Sequence, residues 1–178
     1  MAKIWSQQNK LKKWLLVEVL ACEALAATGE IPRSAVKNIK KKAKFNLKKV
    51  NEIEKKTKHD VIAFLTNVAQ YVGKDSRYIH LGLTSSDILD TGLAIQLKEA
   101  SEILLKDLNQ LANALKEKAF QHKNTAMIGR SHGIHAEPVT FGLKMALWYE
   151  EVKRNITRMK RAGEVISFGK ISGAVGTY

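Results

Sequence analysis

The chain has 178 residues, 45% of them apolar, and a formal net charge of +13. Few aromatics, two prolines and a bias toward leucine, alanine, lysine and glutamate describe long helices rather than sheets, with apolar material for one domain or a domain and a half. The single Cys22 excludes an internal disulfide and suits a buried thiol in a reducing compartment, and no apolar run approaches the roughly 18 residues that a bilayer span needs.

Met1–Trp5 shows no apolar block ending in a small-residue cleavage site, so no signal peptide is expected and the expected compartment is the cytoplasm. Periodicity predicts a first helix over 4–28, where Trp14, Val17, Leu20, Ala21, Ala24 and Leu25 recur at three- and four-residue steps. Gly29 supplies its stop, and Pro32 suits the first turn of a short basic helix over 33–44. Further helices are predicted over 47–57 and 60–72, the second stopped by Gly73. Residues 74–86 read as a loop whose last hydroxyls, Thr84, Ser85 and Ser86, can cap the next helix.

That helix is long. Leu89, Leu93, Leu97, Ala100, Leu104, Leu108, Leu111, Leu115 and Ala119 keep helical steps, with Gly92 as the only weak point. A helix of about 35 residues would extend about 50 Å. Such a rod needs neighbours of similar length, which implies a bundle of long helices shared between subunits. A second loop is expected over 124–137. Pro138 is then expected to begin a helix striped by Phe141, Met145, Trp148 and Val152 and running to about Glu164. A glycine-rich tail, 169–178, comes last. No strand-like alternation is sustained. The predicted fold is therefore all-α, with a small helical domain over 1–84 and the first part of a long-helix bundle domain over 85–178.

Much of the positive charge lies between Lys37 and Lys58, ten lysines against Glu52 and Glu54. Such a stretch can bind nucleic acid or another anion. A solvated helical face is the preferred reading, because no aromatics interleave as stacking platforms.

The residues able to do chemistry gather at helix ends. Gly129-Arg130-Ser131-His132-Gly133-Ile134-His135-Ala136-Glu137-Pro138 crowds two imidazoles, a guanidinium and a carboxylate into ten residues. A zinc site lacks its ligands there, since no cysteine or HExxH partner accompanies the histidines. Acid–base work or oxyanion binding remains, and an imidazole, with an ordinary pKa of about 6.5, suits the first. A capped turn with solvated histidines is the bland alternative. Thr84-Ser85-Ser86-Asp87 opens the long helix, and free amides beside three hydroxyls make a site for a carboxylate or phosphate, although capping alone would need only one hydroxyl. Lys58-His59-Asp60 opens another helix, where Asp60 can serve simply as a cap. His122, among Gln121, Lys123 and Asn124, reads as a solvated surface residue.

Four stretches in this order and spacing resemble the adenylosuccinate lyase family of the fumarase/aspartase superfamily. They are Lys58–Phe64, His80-Leu81-Gly82-Leu83-Thr84-Ser85-Ser86-Asp87, Gly129–Pro138, and Gly169-Lys170-Ile171-Ser172-Gly173-Ala174-Val175-Gly176; Ile4-Trp5 and Leu16–Ala24 also match. The resemblance implies elimination of fumarate from adenylosuccinate to give AMP, and the same cleavage of the related succinocarboxamide ribotide. A base removes a proton beside a carboxylate, the carbanion is held as an aci-carboxylate, and a general acid protonates the departing nitrogen. It implies His132 as that acid and His59 as a contact to the substrate phosphate or a helper of His132. His80, Thr84 and Ser85 would bind anionic groups, Lys58 and Asp60 would line the pocket, and Ser131, family-typical without being the base, would bind substrate. It further implies a homotetramer with active sites shared between subunits, a small-molecule substrate, no metal and no cofactor, and no nucleic-acid or membrane partner.

Two parts of the family pattern do not occur in the chain. One is an Arg-Tyr pair that would stand just before Met1. The other is the base, a serine on a mobile Ser-Ser-x-x-Met-Pro-x-Lys-x-Asn loop far downstream. The expectation is therefore an incomplete and inactive portion of the enzyme. Argininosuccinate lyase or an aspartase-like enzyme is the alternative within the superfamily, and a basic helical nucleic-acid-binding module is the alternative outside it.

Overall fold

A computed structural model of the chain describes residues 1–177; Tyr178, the last residue of the glycine-rich tail, lies outside them. The helices are α1 (Gln7–Ala27), α2 (Arg33–Lys42), α3 (Leu47–Thr57), α4 (Asp60–Val72), α5 (Ser85–Gln121) and α6 (Phe141–Val165). A 3-10 stretch over Gly73–Tyr78 precedes α5, and two short strands, β1 (Ala126–Ser131) and β2 (Ile134–Thr140), precede α6.

Local chemistry sets the boundaries. The Ser6 hydroxyl accepts from the N–H of Asn9 at 3.2 Å and starts α1. Asn46 does the same for α3 through the N–H of Lys49. The α4 helix ends at Gly73, which takes φ 76°, a left-handed value that costs glycine nothing. With 37 residues, α5 extends about 55 Å.

The chain forms two compact units, residues 1–97 with the segment from Ser167, and residues 98–166. In the first, α1 to α4 and the start of α5 enclose Trp14, Val17, Ile39, Val50, Phe64, Val68 and Ile88. Phe64 is the hub: its ring meets those of Trp14 and Phe45 edge-on, with centroids 5.7 and 5.8 Å away. Burying side chains of this size contributes roughly 2–3 kcal/mol each. Gly92, a weak point by helix propensity, has a packing reason: a Cβ there would stand 2.9 Å from Cδ1 of the buried Trp14 indole.

In the second unit, the later part of α5 and α6 run antiparallel. Gly142 donates its N–H to the carbonyl of His122 at 2.9 Å near one end of the pair, and Gly163 lies against Ser101 near the other. Between them Ala112, Leu115, Met145 and Val152 are buried, with Leu108, Phe141 and Tyr149 packed alongside. Along the leucine stripe of α5, Leu104 and Leu111 are exposed, while Leu108 and Leu115 have neighbours within the unit. Trp148, placed on the apolar stripe of α6, is also exposed.

The sequence expectation fails at 124–137. The segment is an antiparallel hairpin with Ser131 opposite Ile134 and Met127 opposite Val139, and with a register shift between Ile128 and Arg130. Pro138 pairs with Ile128 inside β2, and the helix begins only at Phe141, capped by the Thr140 hydroxyl. Proline is tolerated there because β2 is an edge strand whose missing N–H breaks no further ladder. His122 differs too: its ring is partly covered by Phe141, with centroids 5.1 Å apart, and its Nδ1 lies 3.2 Å from the Thr125 hydroxyl.

Candidate active site

Among the described residues, three non-glycine residues have φ in the left-handed region: Lys58 at 53°, His80 at 67° and His132 at 51°. All three are candidate site residues by sequence. Side chains pay a steric cost for that conformation, which persists where surrounding structure enforces it.

Lys58 is the C-cap of α3, and its backbone N–H donates to the Glu54 carbonyl at 2.8 Å. The reversal there lets His59 cap α4: its Nδ1 accepts from the N–H of Ile62 at 3.4 Å. That contact needs a bare Nδ1 and leaves the proton of the neutral ring on Nε2. Asp60 stands beside it, with Oδ1 accepting from the Val61 N–H at 2.8 Å and lying 3.7 Å from His59 Nδ1. The side chains of His59 and Asp60 are about two-fifths exposed, so a ligand can reach them.

His80 is held differently. The Glu18 side chain, fully buried on α1, takes the His80 backbone N–H at 2.9 Å on Oε2 and the ring Nδ1 at 2.6 Å on Oε1. Glu18 stands four residues from Trp14 and four from Cys22, both buried, so the signal available in the sequence was a carboxylate on the apolar face of α1. Cys22 donates its thiol to the Tyr78 carbonyl at 3.4 Å, and burial, reinforced by Glu18, pushes its pKa up to about 11. It is an inert core thiol.

The start of α5 is built around Asp87, also fully buried. Its N–H donates to the Thr84 carbonyl at 3.0 Å, and its Oδ2 accepts the Thr84 N–H at 2.9 Å, a reciprocal cap. Its Oδ1 takes the Lys170 ammonium at 2.8 Å and the Ser172 N–H at 3.0 Å. Burial works against the charge of Asp87. The Lys170 ammonium and the amides of Thr84 and Ser172 outweigh it and hold the carboxyl at about 2. Thr91 fastens the same tail, accepting the Lys170 N–H and donating to its carbonyl, both at 2.9 Å. Because Asp87 does the capping, the hydroxyls of Thr84 and Ser85 have no hydrogen-bond partner among the described residues. Both side chains are partly exposed at a helix N-terminus, where an anion is favoured. The partnership of Asp87 and Lys170 was not legible in the sequence, because 83 residues separate them.

Ser131 and His132 belong to the second unit. Ser131 ends β1, and His132 with Gly133 makes the two-residue turn to Ile134, at φ 51° and 76°. Left-handed values at both turn positions are those of a type I′ hairpin, which matches strand twist. The His132 side chain is exposed and has no hydrogen-bond partner among the described residues. The structure thus gathers Lys58, His59 and Asp60 at one helix junction, and His80, Thr84 and Ser85 around the entry to α5. It places Ser131 and His132 on a projecting turn. Among the described residues, no hydrogen bond or ion pair joins the first of these groups to the second, both in the first unit. An apolar groove of about 760 Å³ beside the hairpin is lined by Met127, Ile128, Arg130, Val139 and Leu147 among others, and by none of these eight residues. No group of three or more His, Cys, Asp or Glu able to hold a metal occurs among the described residues. No described helix is long and apolar enough to cross a membrane.

Three curated relatives match the whole chain. The adenylosuccinate lyases of Bacillus subtilis, Synechocystis sp. and Aquifex aeolicus are 53%, 57% and 52% identical to it. The chain spans only 41% of the length of each. Among solved structures, a fumarate lyase from Mesorhizobium sp. superposes with a TM-score of 0.93 at 26% identity, over 99% of this chain and 42% of that one. The 3-carboxy-cis,cis-muconate lactonizing enzyme of Pseudomonas putida gives 0.91 at 29%, again over 99% of this chain and 42% of the other. The family described as lyase matches from residue 1 to residue 178, and the chain belongs to that family.

Proposed function

We propose that the protein is an adenylosuccinate lyase, eliminating fumarate from adenylosuccinate to give AMP and from the succinocarboxamide ribotide of the same pathway. The observation that carries this reading is the identity of 52–57% to three adenylosuccinate lyases along the whole chain. The geometry supports it. An amine leaving group needs a proton donor, and an exposed imidazole on a hairpin turn offers one. A dianionic product fits unpartnered hydroxyls at a helix N-terminus.

In this reading His132 gives its proton to the departing nitrogen, while a base takes the proton beside the carboxylate. The electron pair left by that proton becomes the new double bond as the carbon–nitrogen bond breaks. His59 contacts the phosphate or assists His132. His80, Thr84 and Ser85 bind anionic groups, Lys58 and Asp60 line the pocket, and Ser131 binds substrate beside His132. We assign the base to a serine outside residues 1–178. The long helices, divided at about residue 84 from the N-terminal domain, assemble into a cytoplasmic homotetramer whose sites are completed by neighbouring subunits.

The test is fumarate release by the full-length protein, offered adenylosuccinate, argininosuccinate and aspartate separately. Adenylosuccinate alone should turn over. Turnover of either other substrate in its place would move the protein elsewhere in the superfamily.

A further inference from the structure

Both oxygens of a fully buried carboxylate are spent on one histidine, and that histidine is in a strained backbone conformation. Oε2 of Glu18 accepts the His80 backbone N–H at 2.9 Å, and Oε1 lies 2.6 Å from His80 Nδ1. The Glu18 side chain has no solvent exposure, while that of His80 keeps 22%. The backbone contact helps hold residue 80 at φ 67°, a left-handed value uncommon for a residue with a side chain. The ring contact has a chemical consequence. With Glu18 ionised, its oxygens only accept hydrogen bonds and Nδ1 carries a hydrogen. Nε2 is left without a hydrogen-bond partner among the described residues, on a ring that is partly exposed.

We propose that Glu18 is a positioning residue for His80, fixing the ring proton on Nδ1 and presenting Nε2 as the one atom through which His80 meets the substrate. A neutral His80 is then an acceptor at Nε2. An anion can bind there only with a hydrogen on Nε2 as well, which puts the added charge across the ring from Glu18. His59 is set the opposite way, with Nδ1 bare at the N-terminus of α4, so the two imidazoles near the helix starts are fixed in opposite tautomers by their surroundings. The orientation of His80 comes from α1, a helix that carries none of the other candidate residues.

The catalytic part of this inference rests on the proposed lyase reaction; the tautomer does not. The first measurement is therefore made without substrate. Solid-state nitrogen NMR of the full-length protein, labelled at histidine, is recorded at a pH of about 9, where an ordinary imidazole is neutral. The His80 signals are assigned by their loss in His80→Gln. Hydrogen on Nδ1 with a bare Nε2 is expected; hydrogen on Nε2 with a bare Nδ1 overturns the proposal even if no variant folds. In Glu18→Gln the amide can donate to Nδ1, so the proton should move to Nε2, and an unmoved proton would show that Glu18 does not set the tautomer. The second measurement is turnover. Glu18→Gln should lower kcat/KM for adenylosuccinate roughly 10- to 100-fold, the usual scale for a partner that orients a functional imidazole. It should add little in a His80→Ala background. An equal further loss in that background would make Glu18 independent of His80 and overturn the inference. Failure of the parent to cleave adenylosuccinate would instead remove the lyase reading and leave the tautomer result standing.

Discussion

The Lys170 ammonium lies 2.8 Å from Oδ1 of Asp87, closing 83 residues of chain into a clamp at the start of α5. Asp87 is fully buried and Lys170 only about one-third exposed, so this is not a surface pair that water screens away. With its carboxyl held at about 2, against an ordinary value of 3.8, Asp87 contributes stability that is fully present above about pH 5 and lost as pH falls through the folded value. The loss attributable to this group should reach about 1 kcal/mol by pH 3. Urea midpoints of the parent and of Asp87→Asn at pH 6 and pH 3, about three units apart, measure it. The parent should lose more stability than the variant over that interval, and parallel losses would remove Asp87 as the acid-sensitive group.

Gly92 tests the packing of the first unit. A methyl group there meets the Trp14 indole at 2.9 Å, and Trp14 is itself locked against Phe64. Although alanine favours helix by up to about 1 kcal/mol over glycine, Gly92→Ala should destabilise by about 1–3 kcal/mol, because overpacking outweighs propensity. Thermal or urea unfolding decides the sign. A stabilised variant would mean that Trp14 has room to move.

The second unit leaves apolar surface bare. Leu104, Leu111, Leu143, Leu147, Trp148 and Phe120 are all exposed on α5 and α6. Apolar surface of that kind marks an interface. Light scattering of the full-length protein should give a tetramer at micromolar concentration. A monodisperse monomer would contradict the shared-site arrangement.

Much of this architecture could be read from the sequence, and the failures have physical causes. The bounds of α3 and α4 match those predicted, and α5 starts at the hydroxyl cluster expected to cap it. Apolar residues at helical spacing between strong stop signals leave little freedom there. The hairpin was missed because its faces give almost no burial contrast: most of its residues are exposed, so no alternation was written into it. Its one available signal was the His132-Gly133 pair, which can take the left-handed turn. Pro138 misled because proline suits both a helix start and an edge strand. The candidate histidines were legible as motifs. The groups that hold them and the start of α5 were not, because Glu18 and Asp87 look like ordinary helical acids until their partners, 62 and 83 residues away, are brought to them.

The central claim, that His132 protonates the nitrogen leaving adenylosuccinate, is tested most directly by steady-state turnover of the full-length protein and its His132→Ala variant. AMP and fumarate are measured together, and substrate affinity is read separately by equilibrium binding. His132 is exposed on its turn, so the substitution removes no buried side chain, and circular dichroism of the variant checks that the turn at φ 51° tolerates alanine. The account predicts that kcat falls by about 10² to 10⁴, the range for a positioned general acid, while adenylosuccinate still binds within a few-fold of the parent. A variant that turns over at near-parental rate would contradict it and pass the acid's role to His59.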